Sequence, residues 1–526
     1  FLIMSNPVDL KTQKYDRQLR LWATTGQQAL EEANICLLNA TPTGCEILKN
    51  LVLPGVGLVT IVDEQKVTKQ DIHNNFFLDP DSTGQSKAKS AAELLQELNE
   101  DASVVHIERN PSDLIHNSPE FFDPFSVIVT VNMVHDDMLK LSTICNESNK
   151  ILIAVKNKGL VGVFSIQSPE HTVIETHPDN ATDLRLATPF QHLVDYVDTF
   201  NLDELDQTDH GQVPFVIVLL KYVDAWKKED NSIQIPLSYQ QKKELEKRIA
   251  AGKRTPDEEN FDEAISNAWR LCSNDHISDE VRHIFEEPSC QSAHSDSPHF
   301  WILARAVRDF VENEGGGHLP LSGKLPDMKS DTLNYIGLQN VYREKALCDL
   351  EAVKKRVRGF LEGSEVSIPD ETIEIFCKNA SNVRVIQYRP LTENHVLAEK
   401  LVNWVKTDEN ICYLLGYYGA DKFRSKYGHL PVSQVDFNPF KEEVQAYIES
   451  LGVSSADTQE VMSSEATDKA ILNFIRFGDM ETPNLAALVG GLAAQEAIKL
   501  ITHQYIPINN TCVFNGITST SSVFEI

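Results

Sequence analysis

Ile35-Cys36-Leu37-Leu38-Asn39-Ala40-Thr41-Pro42-Thr43-Gly44 decides the fold: a short apolar run, a polar turn, and the start of a helical pattern from Gly44 to Leu53. A Pro54-Gly55 break follows, then a second apolar run, Leu58 to Val62, ending at Asp63. Strand, helix and strand in that order make a β-α-β unit. The polar turn between the first strand and its helix is where such a unit holds phosphate when it carries G-x-G-x-x-G, because the glycines let the backbone approach and the helix start supplies N–H groups. Asn39, Ala40, Thr41, Pro42 and Thr43 stand there instead, and only Gly44 remains. Pro42 removes a backbone donor where a phosphate oxygen needs one. The loop is in the right place with the wrong chemistry, a degenerate nucleotide loop. Asp63 stands where an acid accepts ribose hydroxyls, but without the glycines it reads first as an ordinary strand-end residue, and a nicotinamide-dependent oxidoreductase is the weaker alternative.

Outward from this unit, Ser86 to Leu98 has apolar residues at helical spacing, and Val104 to Ile107 and Phe125 to Val131 read as strands. The expected fold class is α/β: a doubly wound, Rossmann-like sheet with helices on both faces. Beyond about Ile166 the pattern turns helical, as in Val216 to Trp226, Phe300 to Val311 and Gln339 to Leu361. Gly252 to Asn260, Pro288 to Ser297, Glu314 to Gly317 and Ser454 to Asp468 read as surface loops. The ending returns to small and apolar residues. A helix from Asn484 to Ile501 carries Gly490, Gly491, Ala493 and Ala494, which allow close packing, strands are expected near Tyr505 to Ile508 and Thr511 to Phe514, and Val523 to Ile526 is a last apolar alternation. The domain reading is therefore discontinuous: 1–166 α/β, 167–478 a mainly helical insertion, and 479–526 a return to the first domain.

The chain has 526 residues, too many for one hydrophobic core, and its 41% apolar and 24% charged composition is that of a folded protein. A formal charge of −29 argues against a nucleic-acid partner. Nine cysteines with no C-x-x-C pair support neither a disulfide framework nor a metal site. Phe1-Leu2-Ile3-Met4 is too short for a signal peptide, and no later run approaches a membrane span, so the expectation is a cytoplasmic or nuclear protein without a membrane partner. No cysteine has the surroundings of a nucleophile: Cys36, Cys45 and Cys512 lie in apolar segments, while Cys290 and Cys377 are expected at the surface. His177 reads as a turn residue.

Two stretches are recognisable as a family pattern. Lys14-Tyr15-Asp16-Arg17-Gln18-Leu19-Arg20-Leu21-Trp22 and Gly44-Cys45-Glu46-Ile47-Leu48-Lys49-Asn50-Leu51-Val52-Leu53-Pro54-Gly55-Val56-Gly57 resemble the opening of the ubiquitin-like-modifier activating enzymes. Gly490 to Thr502 resembles the last helix of that family's adenylation domain. Three further stretches, His177-Pro178-Asp179-Asn180, Phe300 to Ala306 and Leu338 to Ala346, resemble regulatory subunits of the neddylation type. Those of the sumoylation type share the ends but not so long an insertion, and are the alternative within the family.

The resemblance implies a division of labour. A catalytic partner subunit binds ATP and magnesium, adenylates the C-terminal glycine of a ubiquitin-like modifier, and takes it as a thioester on its own cysteine. This chain, with no catalytic residue, no bound cofactor and no metal, completes a heterodimer. The departures agree: Asn74 stands where active members have Arg, and Asn132 near where they have Asp, and Asn can neither neutralise a triphosphate nor hold magnesium as a carboxylate does. Asp63 and Lys87 then count as remnants of a pocket, Lys87 otherwise reading as a solvated helix lysine. By resemblance, Arg17 reaches across the dimer to the phosphates in the partner's site, an always-charged planar donor set supplied in trans.

Overall fold

The computed structural model describes residues 10–177, 182–272, 277–392 and 395–526. Phe1 to Met4 and Pro178-Asp179-Asn180 lie outside these. The chain forms two compact units, Phe1–His171 with Val385–Ile526, and Thr172–Arg384.

The first unit is built on an eight-stranded sheet. Its strands are β1 (Asn34–Leu38), β2 (Leu58–Val62), β3 (Ser103–Ile107), β4 (Val127–Val131), β5 (Ile151–Lys158), β6 (Val161–Gln167), β9 (Thr511–Asn515) and β10 (Thr520–Phe524); β7 (His171–Val173) and β8 (Arg384–Ile386) form a separate ribbon. The order is β10-β9-β6-β5-β4-β1-β2-β3. β3, β2, β1, β4 and β5 are parallel, with β1 Ile35 opposite Val59 on one side and Val127 on the other. β6, β9 and β10 continue the sheet antiparallel. The expected α/β class is correct, and β1 and β4 flank the point where strand order reverses, the crevice in which doubly wound sheets bind ligands.

Central strands buried on both faces explain the continuous apolar runs. One face packs the helices Pro42–Val52, Lys87–Gln96 and Pro483–Thr502 over Ile35, Leu37, Val59 and Val129. The other packs Pro111–Asn117 and His135–Glu147 over Cys36, Leu38, Val62 and Ile128. The tail therefore does return to the first domain. Pro483–Thr502 is by length and composition apolar enough to cross a membrane, more so than the sequence reading allows, but half of it is buried in the protein. Gly490 is the close approach: a Cβ there meets Glu46 Cβ at 2.8 Å and Ile47 N at 3.1 Å. Gly491 faces open space, so its expected packing role does not hold.

The structure redraws the insertion. Helices between residues 395 and 477 belong to the sheet unit, because Leu397, Leu401, Leu415, Tyr417 and Phe474 share a core with Val161, Val163, Val513 and Phe524 of β6, β9 and β10. The separate unit, mainly helical, ends at Arg384 rather than 478. Its helices include Phe215–Glu229, His299–Glu312 and the 29-residue Thr332–Phe360. Ser454 to Asp468 is helical rather than a loop, with Ser454 and Ser464 capping Ser455–Met462 and Glu465–Phe477. Residues 505–508 form no strand. They hang from Glu496, whose carboxylate accepts the Ile508 N–H at 2.8 Å.

Candidate functional site

The polar turn after β1 is stabilised by its own sequence. Thr41 is the N-cap of Pro42–Val52, its hydroxyl accepting the Gly44 N–H at 3.2 Å, and Pro42 at the first helical position suits a site whose N–H has no intrahelical partner. Gly44 keeps the packing role expected of it, since a Cβ there lies 2.9 Å from Asn39 O and 3.0 Å from Leu37 Cδ1. Asn39 stands at φ 74, in the left-handed region where Asn is one of the few tolerated side chains, and donates its amide to Val131 O across the crevice at 2.9 Å.

Every backbone donor of the turn is engaged. Asn39 N–H goes to Val62 O, Thr41 N–H to Asn39 O and Cys45 N–H to Thr41 O. Ala40 N–H donates to Asp63 Oδ2 at 2.9 Å, while Asp63 Oδ1 accepts Gln65 N–H at 2.7 Å. Asp63 is thus a buried brace for the turn and not only a strand end. Thr43 donates both its N–H, at 3.0 Å, and its hydroxyl, at 2.6 Å, to Oε2 of Glu481. The other oxygen, Oε1, accepts Asn132 Nδ2 at 2.6 Å.

Glu481 is the residue that sequence reasoning missed. It lies just before the tail helix, and nothing local marks it; only the return of the tail to the sheet brings it to the turn. Its carboxyl is buried, which pushes it above the usual carboxylate range, against the pull of the Thr43 hydroxyl and N–H and of Thr41. Asn132, at φ 51 after β4, accepts Asn157 N–H at 3.0 Å with its Oδ1, so its Nδ2 is held toward Glu481. Asn157 in turn donates to Thr43 Oγ1 at 2.8 Å. Thr43 N–H, Thr43 O–H and Asn132 Nδ2 all donate to Glu481, so the acceptor at the N-terminus of Pro42–Val52 is a carboxyl group of the protein itself.

Lys87 is not solvated. It is 8% exposed, pairs with Asp71 at 2.9 Å and donates to Gln65 Oε1 at 3.0 Å, joining the helix Lys87–Gln96 to the segment after β2. Burial tends to raise Asp71, but the Thr68 hydroxyl, Lys87 and the Thr68 N–H together hold it below the usual range. Asn74 ends the helix Lys69–Asn74, half-buried.

Arg17 lies elsewhere. Its helix, Asp16–Glu32, is anchored near the amino-terminal edge of the parallel strands, where Tyr15 hydroxyl accepts Asn99 Nδ2 at 3.0 Å and Gln27 donates to Pro54 O at 3.0 Å. Arg20 pairs with Asp16 at 2.9 Å; Arg17 is exposed and makes no ion pair among the described residues. All nine cysteines are free, and Cys290 and Cys377 are buried, contrary to expectation. Burial lifts the thiols of Cys45 and Cys377 to about 12, the reverse of activation.

This fold, with an adenylation-type turn closed by its own carboxylate, is accompanied by a match of the ThiF family model over residues 15–526, and the chain belongs to the ThiF family. It is similar to the NEDD8-activating enzyme E1 regulatory subunits of Danio rerio and Xenopus laevis, each 39% identical over 99% of this chain and 100% of the relative. The Arabidopsis thaliana regulatory subunit AXR1 is 39% identical over 99% of this chain and 97% of its own length. These relatives favour neither the sumoylation alternative nor the oxidoreductase.

Proposed function

We propose that this chain is the regulatory half of a two-subunit, ATP-dependent enzyme that activates NEDD8, with no catalytic activity of its own. Its partner is the catalytic subunit, which binds ATP and magnesium, adenylates the modifier's C-terminal glycine and forms the thioester on its own cysteine. The observation that carries this reading is the turn 39–45, in which every N–H already has an acceptor within the chain, the Thr43 N–H finding it in the buried carboxyl of Glu481. Asn74 and Asn132 support it, since neither supplies the charge that a triphosphate and magnesium need.

Arg17 is the one residue given a direct role, donating in trans to phosphate oxygens in the partner's site. Its exposure and freedom from ion pairing among the described residues suit that role. A cytoplasmic or nuclear setting, with no nucleic-acid or membrane partner, is part of the same reading and is supported by nine free cysteines and a charge of −29.

Reconstitution tests it. Modifier-dependent exchange of pyrophosphate into ATP is measured for this chain alone, the catalytic subunit alone, and both together. The expected result is no exchange by this chain alone and full exchange with both; exchange by this chain alone contradicts the proposal.

A further inference from the structure

Glu481 reaches the turn on a short strap, residues 478–482, that crosses the carboxyl ends of the strands between the helix Glu465–Phe477 and the tail helix. The strap is fastened along its length. Gly159 N–H donates to Met480 O at 2.7 Å, Thr482 hydroxyl donates to Gly159 O at 3.0 Å, and Gly159 and Glu481 form a parallel bridge. Lys158 pairs with Asp479 at 3.4 Å. Gly159 is at φ 60, and a Cβ there would lie 2.2 Å from the Phe477 ring, so the turn between β5 and β6 is shaped to receive the strap. The strap ends in an acceptor-only group, and three donors from two separate loops, Thr43 N–H, Thr43 O–H and Asn132 Nδ2, converge on it.

We propose that the strap is a tethered internal ligand: the Glu481 carboxylate occupies an oxyanion cradle of the chain's own making and holds the loops after β1 and β4 together, as a bound phosphate would in a nucleotide-binding relative of the fold. A tethered ligand is present at a high effective concentration, so a free oxyanion gains entry only when the carboxylate is removed. The cradle left behind takes a phosphate-class anion, because three donors and a helix N-terminus remain aimed at the vacated position. This concerns the chain's own fold and stands or falls independently of its catalytic partner.

The test compares full-length wild-type chain and Glu481→Ala, melted in sodium chloride and in inorganic phosphate at matched ionic strength. The wild type is expected to melt alike in both salts. The alanine variant is expected to melt several degrees lower in chloride and to recover part of that loss saturably in phosphate. A phosphate-specific rise of equal size in the wild type overturns the proposal, as does its absence in the variant. If Glu481→Ala does not fold, the decision passes to amide exchange of the wild-type chain. Thr43 N–H is expected to exchange as slowly as the interior amides of Pro42–Val52, and exchange at the rate of an exposed loop overturns the proposal.

Discussion

Thr43 and Glu481, 438 positions apart in the chain, share one carboxylate oxygen through two hydrogen bonds from the same residue. The tail thereby closes the crevice that the first β-α-β unit opens.

Placing an acid at position 132 should be harmful while Glu481 is present. Asn132→Asp replaces a donor 2.6 Å from Glu481 Oε1 with a second carboxylate, and two like charges in one buried site cannot both ionise cheaply. A loss of about 2 kcal/mol is expected, and the two effects should not add: Glu481→Ala combined with Asn132→Asp should cost less than the sum of the single changes. Urea unfolding of the four proteins measures the coupling.

Arg17→Ala should leave stability within about 0.5 kcal/mol of wild type, since the side chain is exposed and makes no ion pair among the described residues. With the catalytic subunit present, adenylation should slow by about tenfold or more, with modifier binding little changed. Thermal melts, pyrophosphate exchange and modifier titration separate the three quantities; equal exchange rates remove the role.

Adjacent glycines in the tail helix should respond oppositely. Gly490→Ala forces a Cβ against Glu46 and Ile47 and is expected to cost about 1–3 kcal/mol. Gly491→Ala meets nothing within 4 Å and should be neutral or stabilise by up to about 1 kcal/mol through helix propensity. Denaturant midpoints of the two variants decide it.

The Glu481 carboxyl, raised by burial from its ordinary value of 4.5, binds its proton more readily in the folded chain than in the unfolded one. The part of its contribution that depends on the bound proton is therefore complete below pH 4.5 and is lost as pH rises through the raised value, while the hydrogen bonds from Thr43 and Asn132 to the carboxylate remain. Relative to Glu481→Gln, which does not titrate, the wild type should lose stability across that window, by about 1.4 kcal/mol per unit of elevation. Unfolding at a series of pH values tests the sign; a gap moving in the wild type's favour as pH rises contradicts it.

The doubly wound core was legible because its strands are buried on both faces and read as continuous apolar runs, although the first helix starts at Pro42, capped by Thr41, two residues before the Gly44 expected. The course of the turn 39–44 was legible because every residue of it is local. The domain boundary was not: the helices of residues 395–477 carry the same helical spacing as those before Arg384, and what separates them is packing against β6, β9 and β10, strands drawn from both ends of the chain. Lys87 and Asp63 looked like surface and strand-end residues because their partners, Asp71 and Ala40 N–H, are set by loops whose path the pattern does not specify. Glu481 was hidden most completely, since its role exists only where the tail meets the turn.

The most direct measurement is calorimetric titration of the full-length chain, without its partner, with ATP and magnesium, alongside an active adenylating relative as control. The turn 39–45 filled by Glu481 predicts no saturable heat from this chain under conditions where the control binds. Saturable binding of ATP that Thr43→Val or Asn132→Ala abolishes would show the nucleotide seated in the pocket that the carboxylate is said to occupy, and would contradict the account.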